Sequence, residues 1–166
     1  MITTDGRSDA SRPARTAPRR VPTPTRKAPA VEITRTPTGT RPGPEHWFTG
    51  QVWMEDLAAP PSPSRVHALR VHFTPGARTA WHRHGLGQIL YVTEGIGLVQ
   101  RRGAPPEIIR AGDVVWFAPD EDHWHGAAPD HFMTHVAIHE LAAPGEVADW
   151  GDQVTDDEYL AAPDDH

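Results

Sequence analysis

His82 and His84 are separated by one residue, Gln88 follows after a Gly85-Leu86-Gly87 bend, and His123 lies well downstream. In an extended strand alternate side chains point to the same face, so the two histidines share one and Gln88 can join them beyond the bend. Three imidazoles and a carboxamide oxygen form a ligand set for a first-row divalent metal, from Mn through Fe, Co and Ni to Zn. All four donors are neutral, so the +2 charge of a bound ion stays uncompensated. That suits the ion to gripping an oxyanion or polarising a carbonyl. The plainer alternative is a pair of structural histidines in a sheet.

More imidazoles stand close in the pattern. His125 follows His123 by two residues and faces the same interior, while Phe132-Met-Thr-His135-Val-Ala-Ile-His139 puts His135 and His139 on one face with Met133 and Ala137. Imidazole is well poised as a general base near neutral pH, which makes His135, His125 and His139 the candidate catalytic residues. For each, a hydrogen-bonded core or surface histidine is the competing reading. His46, His67, His72, His131 and His166 lack such company and read as ordinary surface or strand residues. Leu69, Val71, Phe73, Leu90 and Val92 supply an apolar lining suited to a small organic substrate, and Trp81, Trp116 and Trp124 read as sheet core or walls.

These residues must be held by strands. From Trp47 onward, short β-branched and aromatic runs alternate with Gly and Pro, the pattern of an all-β sandwich or barrel. The runs predict strands near 47–54, 65–73, 79–84, 88–93, 97–102, 106–110, 113–117, 123–128 and 131–140. Turns are expected at Thr74-Pro75-Gly76, Glu94-Gly95, Arg102-Gly103, Ala111-Gly112 and Pro119-Asp120, with Asp120 a candidate for a left-handed backbone. Thr155-Asp-Asp-Glu158 has the form of a capping box and predicts one short C-terminal helix.

Composition divides the chain. Residues 1–45 carry nine basic and four acidic side chains, 8 of the 18 prolines and no aromatic residue, so they are expected to be a disordered basic tail beside a folded domain over 46–166. The tail's +5 leaves −11 on the rest of a chain whose formal charge is −6, which argues against nucleic acid as a partner of the folded part. There is no cysteine, hence no disulfide and no thiolate metal site. No apolar run reaches the roughly 18 residues of a membrane span. Arg19-Arg20 is followed by no apolar export segment, and the prolines spoil an amphipathic transit helix, so a cytoplasmic location is expected.

Gly76, His82, His84, Gln88 and Gly95 have the spacing of the first cupin motif, G-x5-H-x-H-x3,4-E-x6-G, with Gln88 at the acidic position. Gly112 and His123 match the second motif, G-x5-P-x-G-x2-H-x3-N, while Ala118, Asp120 and Ala127 depart from it. Over Phe73–His84, Gly87–Gly95, Gly112–Phe117 and His123–Pro129, with Trp47-Phe-Thr-Gly and Thr155–Tyr159, the chain resembles small bacterial cupins that include manganese-dependent hydroxynitrile lyases. The resemblance implies a jelly-roll barrel, a divalent metal, manganese first, on His82, His84, Gln88 and His123, and His135 as the active-site imidazole. It also implies a lyase acting on a carbon–carbon bond next to a carbonyl, as in cyanohydrin cleavage to aldehyde and cyanide, with His125 helping His135. A metal-dependent dioxygenase and a non-catalytic cupin that binds a small ligand are the alternatives. A homodimer is expected from the resemblance, with Trp47–Trp53 as the strand that pairs with a neighbour's sheet edge.

Overall fold

The computed structural model describes residues 31, 33–35, 39–59, 61–143 and 145–161, so most of the expected tail lies outside the described residues. In chain order the elements are β1 (Arg41–Pro42), β2 (Phe48–Thr49), β3 (Val52–Ala58), β4 (Val66–Phe73), β5 (Arg78–Thr79), β6 (His82–Arg83), β7 (Gln88–Arg101), β8 (Glu107–Arg110), β9 (Val114–Phe117), β10 (His123–Ala127), β11 (Met133–Glu140), β12 (Asp149–Trp150) and helix α1 (Asp156–Leu160). All strand pairs are antiparallel. In one half of the curled sheet the order is β1-β3-β4-β11-β7-β9. In the other, β7 lies between β8 and β10, β10 pairs both β5 and β6, and these pair β2 and β12. The result is the jelly-roll barrel that the resemblance implies, consistent with the all-β strand pattern, with the one short C-terminal helix that the capping box predicts.

The two halves are joined by β7, whose residues 88–95 pair with β11 and whose residues 97–101 pair with β10. The expected turn at Glu94-Gly95 is therefore a bend inside one long strand. Gly95 has φ 79°, and a Cβ there would collide with the Phe132 carbonyl oxygen, so the bend requires glycine. The expected strand at 79–84 is two short ones, β5 and β6, and that at 47–54 is divided at Gly50 (φ 80°) into β2 and β3. Asp120 takes the left-handed backbone at φ 59°, its N–H bonded to the His84 carbonyl oxygen at 3.0 Å.

One sequence reading is corrected here. Arg41 and Pro42, counted with the tail, pair with Met54 and Trp53, because an edge strand recruits backbone whatever its side chains. As a consequence β3 has β1 on one side and β4 on the other. Within the Trp47–Trp53 segment, Trp53 is thus paired on both sides, whereas Phe48 and Thr49 of β2 pair with β5 alone among the described residues.

The main core lies inside the barrel, where alternation brings Phe73, Leu90, Val92 and Met133 together in full burial. Each such side chain contributes roughly 1.5–3 kcal/mol by leaving water. A smaller cluster of Trp81, Leu98, Trp124, Val154 and Tyr159 lies under α1. The predicted capping box is present at Thr155 and Glu158, and the buried Tyr159 hydroxyl donates to the Ala127 carbonyl oxygen at 2.8 Å, tying the helix to β10. Among the described residues no helix is long and apolar enough to cross a membrane.

Candidate metal centre

Register builds the centre. The β6–β10 pair sets His82 opposite His123, and the β7–β11 pair sets Gln88 opposite His139. Between His84 and Gln88 the chain turns at Gly87 (φ 80°), whose N–H donates to the His84 carbonyl oxygen at 3.0 Å. A Cβ at Gly87 would come within 2.6 Å of the Phe117 carbonyl oxygen, so the close approach that returns Gln88 to the histidines needs glycine. His82, His84, Gln88 and His123 are all buried.

Their hydrogen bonds decide which ring nitrogen is free. Nδ1 donates to a backbone carbonyl in each case: His82 to Ala80 at 3.0 Å, His84 to Val147 at 2.8 Å, His123 to Glu121 at 2.7 Å. An imidazole whose Nδ1–H is committed this way presents its Nε2 lone pair as an acceptor or a metal ligand. Burial is the main cause holding these rings in the neutral form; it pushes His84 and His123 down to about 3 and His82 well below its ordinary value, with the nearby His123 adding to the effect on His82. Phe117 stacks on His123 with ring centroids 3.6 Å apart, and Trp150 stacks on His82 at 4.6 Å, so both rings are clamped.

A cation fits what remains. His84 Nε2 is buried with no hydrogen-bond partner, and His123 Nε2 faces Gln88 Oε1 at 3.2 Å. With Nδ1 of His123 carrying the proton, that contact opposes two lone pairs, which is relieved by a cation held between them or by turning the Gln88 amide so that its NH2 donates. Ring nitrogens of His82, His123 and His125 lie within 4.8 Å of one another, a three-histidine group able to hold a metal ion. His125 stands in that group and His84 does not, although His84 is the ligand that the motif spacing names. His84 is braced by a carbonyl, whereas His125 has neither nitrogen bonded.

The candidate catalytic residues divide. His125 and His135 stand together, ring centroids 4.8 Å apart, while His139 lies against His84 at 4.7 Å and His67 at 5.3 Å. Both ring nitrogens of His125, His135 and His139 are buried without partners. Burial pushes His135 down to about 3, His139 to about 4 and His125 well below its ordinary value, so all three are neutral at neutral pH. A cavity of about 110 Å³ meets these rings, walled by Trp47, Phe48, Met54, Leu69, Val71 and Trp150.

The sequence reading placed Leu69 and Val71 on this wall correctly, but Phe73, Leu90 and Val92 belong to the packed core rather than to the cavity lining. His67, read as an ordinary residue, lines the cavity, and its alternation with Leu69 and Val71 along β4 was the available signal. Arg41, Trp47 and Trp150 were missed. For Trp150 no local pattern existed, since only the β6–β12 pairing brings it onto His82. His72 and His131 are bonded to Thr134 and Asp130, in keeping with ordinary roles, and His166 lies outside the described residues.

Comparison with known proteins identifies the family. The family described as Cupin domain matches residues 69–137. A curated protein of Granulicella tundricola, named (R)-mandelonitrile lyase, is 54% identical over 117 residues, covering 70% of this chain and 88% of that protein. The chain belongs to the cupin family. A solved cupin-like protein from Thermotoga maritima is similar to this cupin at 43% identity and TM-score 0.69, covering 73% of this chain and 91% of the other. A cupin 2 conserved barrel domain protein from Rhodopseudomonas palustris, at 20% identity and TM-score 0.56 over 72% of this chain and 79% of its own, shares the fold.

Proposed function

We propose that this cupin is a metal-dependent lyase that breaks or makes a carbon–carbon bond next to a carbonyl, in the manner of cyanohydrin cleavage to an aldehyde and cyanide. The observation carrying the reading is the juxtaposition of the carbonyl-braced imidazoles of His82 and His84 with buried imidazoles that have no partner, at one apolar cavity. The 54% identity to a protein named (R)-mandelonitrile lyase supports it. His82, His84 and His123 would hold the metal through Nε2 and Gln88 through Oε1, with manganese the ion to which the resemblance points. When bound, such an ion would acidify a substrate hydroxyl and stabilise negative charge on its oxygen, undiluted by any ligand charge.

The chain's own groups do the rest. His135, kept neutral by burial, is in the form that accepts a proton, and His125 orients it. The cyanohydrin hydroxyl proton passes to His135, the electron pair of the carbon–carbon bond leaves with cyanide, and the carbonyl forms. His135 then returns the proton to cyanide, so the products are an aldehyde and hydrogen cyanide, with the imidazole restored. Trp47, Phe48 and Trp150 receive the substituent and exclude water from the reacting carbon.

The test is mandelonitrile cleavage by manganese-loaded protein, followed as benzaldehyde release with an oxygen electrode in the same vessel. Turnover without oxygen uptake, abolished by a chelator and restored by manganese, is expected. Absence of cleavage at one metal ion per chain would overturn the reading, and oxygen uptake would transfer the site to dioxygenase chemistry.

A further inference from the structure

Proton transfer occupies only the His125–His135 end of the cavity; the other end is polar too and has no part in it. There His139 meets His67, its partner across the β4–β11 pair, edge to face with ring centroids 5.3 Å apart. Both rings line the cavity, and His67 Nδ1 and the two ring nitrogens of His139 are buried without partners. Buried polar atoms left so cost stability unless something meets them. Register separates the two ends. His135 and His139 are four residues apart on β11, and their partners Val71 and His67 are four apart on β4, so the ends stand roughly 13 Å from one another at ~3.3 Å per residue. Between them lie Leu69 and Ala137, also paired and also lining the cavity, an apolar waist between two polar poles. A hydrogen bond of ~3 Å at each pole leaves about 7 Å, the span of an aromatic ring with an oxygen-bearing group at each end.

Charge and tautomer select the group that fits. Asp56 Oδ1 lies 3.4 Å from His67 Nε2 and 3.3 Å from the Arg41 guanidinium, so carboxylate and guanidinium offset each other and this end has no net charge to attract an ion. The carboxylate favours the proton on His67 Nε2, which leaves Nδ1 as an acceptor, while His139, neutral through burial, brings one N–H and one lone pair. An acceptor beside such a ring suits a neutral hydroxyl, which gives its proton to His67 and accepts one from His139. We propose that the His67–His139 end is a specificity subsite for a hydroxyl on the substrate's substituent, and that the aldehydes this cupin takes and releases carry that hydroxyl across an aromatic ring from the reacting carbon.

The substrate class rests on the lyase reading, whereas the subsite itself is tested by binding. Calorimetric titration of the manganese-loaded protein with para-hydroxybenzaldehyde and with para-methylbenzaldehyde, at mildly acidic pH where the phenol is neutral, compares a hydroxyl with a methyl of nearly equal size. The hydroxyl compound should bind at least about tenfold more tightly, because a methyl leaves the buried nitrogens unmet. His67→Leu should bring the ratio of affinities near unity. His67→Phe, which keeps a ring and removes both nitrogens, carries the same comparison where His67→Leu does not fold. For the two matching cyanohydrins kcat/KM should show the same preference and the same collapse. Equal binding of the two aldehydes by the wild-type protein would overturn the proposal, as would a preference that survives in a folded His67 variant. Cleavage of neither cyanohydrin, with the binding preference intact, would overturn the lyase reading and its substrate class and leave the hydroxyl subsite standing.

Discussion

His82, His84 and His123 differ from His125, His135 and His139 in one respect that burial alone would not reveal. Each of the first three gives its Nδ1 proton to a backbone carbonyl, and none of the second three has either nitrogen bonded, although all six rings are buried. Bracing fixes tautomer and orientation and so presents Nε2 as a metal ligand requires. The unbraced rings keep both nitrogens available to whatever enters the cavity. One strand can supply both kinds: His123 and His125 are two residues apart on β10, yet only His123 has a turn carbonyl, that of Glu121, within reach of Nδ1.

The comparison breaks most readily at His84 and His125, the first braced but outside the three-histidine group, the second unbraced but within it. His84→Ala should leave the purified protein nearly metal-free by elemental analysis and lower turnover on the order of 10³-fold or more, the loss of several kcal/mol of charge stabilisation. His125→Ala should retain the metal. The reverse result would transfer the ligand role to His125 and show that a carbonyl brace does not mark a ligand here.

His135→Gln tests the unbraced side. Metal content should match wild type while kcat for cyanohydrin cleavage falls about 10²- to 10³-fold, the usual worth of a positioned general base. Unchanged kcat would assign the proton to another group, with His125 next in line because its ring adjoins that of His135. Gln88→Glu sharpens the charge argument with little change of shape. The metal should bind more tightly, and turnover should drop about tenfold because a carboxylate neutralises one unit of positive charge beside the oxygen. Equal or faster turnover at full occupancy would mean that uncompensated charge does not limit the reaction.

The smallest expected effect is on the stability of metal-free protein. Burial holds His135 at about 3 in the folded state, below the ordinary 6.5. Between those values the unfolded chain binds a proton that the folded chain refuses, so stability falls as pH drops from 6.5 toward 3, by at most about 1.4 kcal/mol per pH unit from this residue. Melting temperatures across that window should decline more gently in His135→Leu than in wild type. Parallel slopes would show that His135 is not held neutral.

Some of the centre was legible because it is written in local spacing. The two-residue step from His82 to His84, the glycine-bearing bend before Gln88 and the step from His123 to His125 each put side chains on a common face through backbone geometry alone. His67 was legible by the same rule and was passed over, although it alternates with Leu69 and Val71. The bend of β7 was not legible: glycine after glutamate reads as a turn, and only the close carbonyl of Phe132 shows that the strand continues through it.

What the sequence determined by itself was therefore the alternation of strands and glycines, the capping box at Thr155 and the set of four ligand candidates, since these depend on neighbours a few residues apart. Tertiary structure alone decided which nitrogen each ring offers, for the brace on His84 comes from Val147 and the clamp on His82 from Trp150, both on the segment that returns along β6. It also decided that Trp47 walls the cavity while Trp116 stands in water. Both indoles are equally apolar as sequence, and what separates them is which face of a curled sheet each strand presents, a property of the closed barrel rather than of any local stretch of chain.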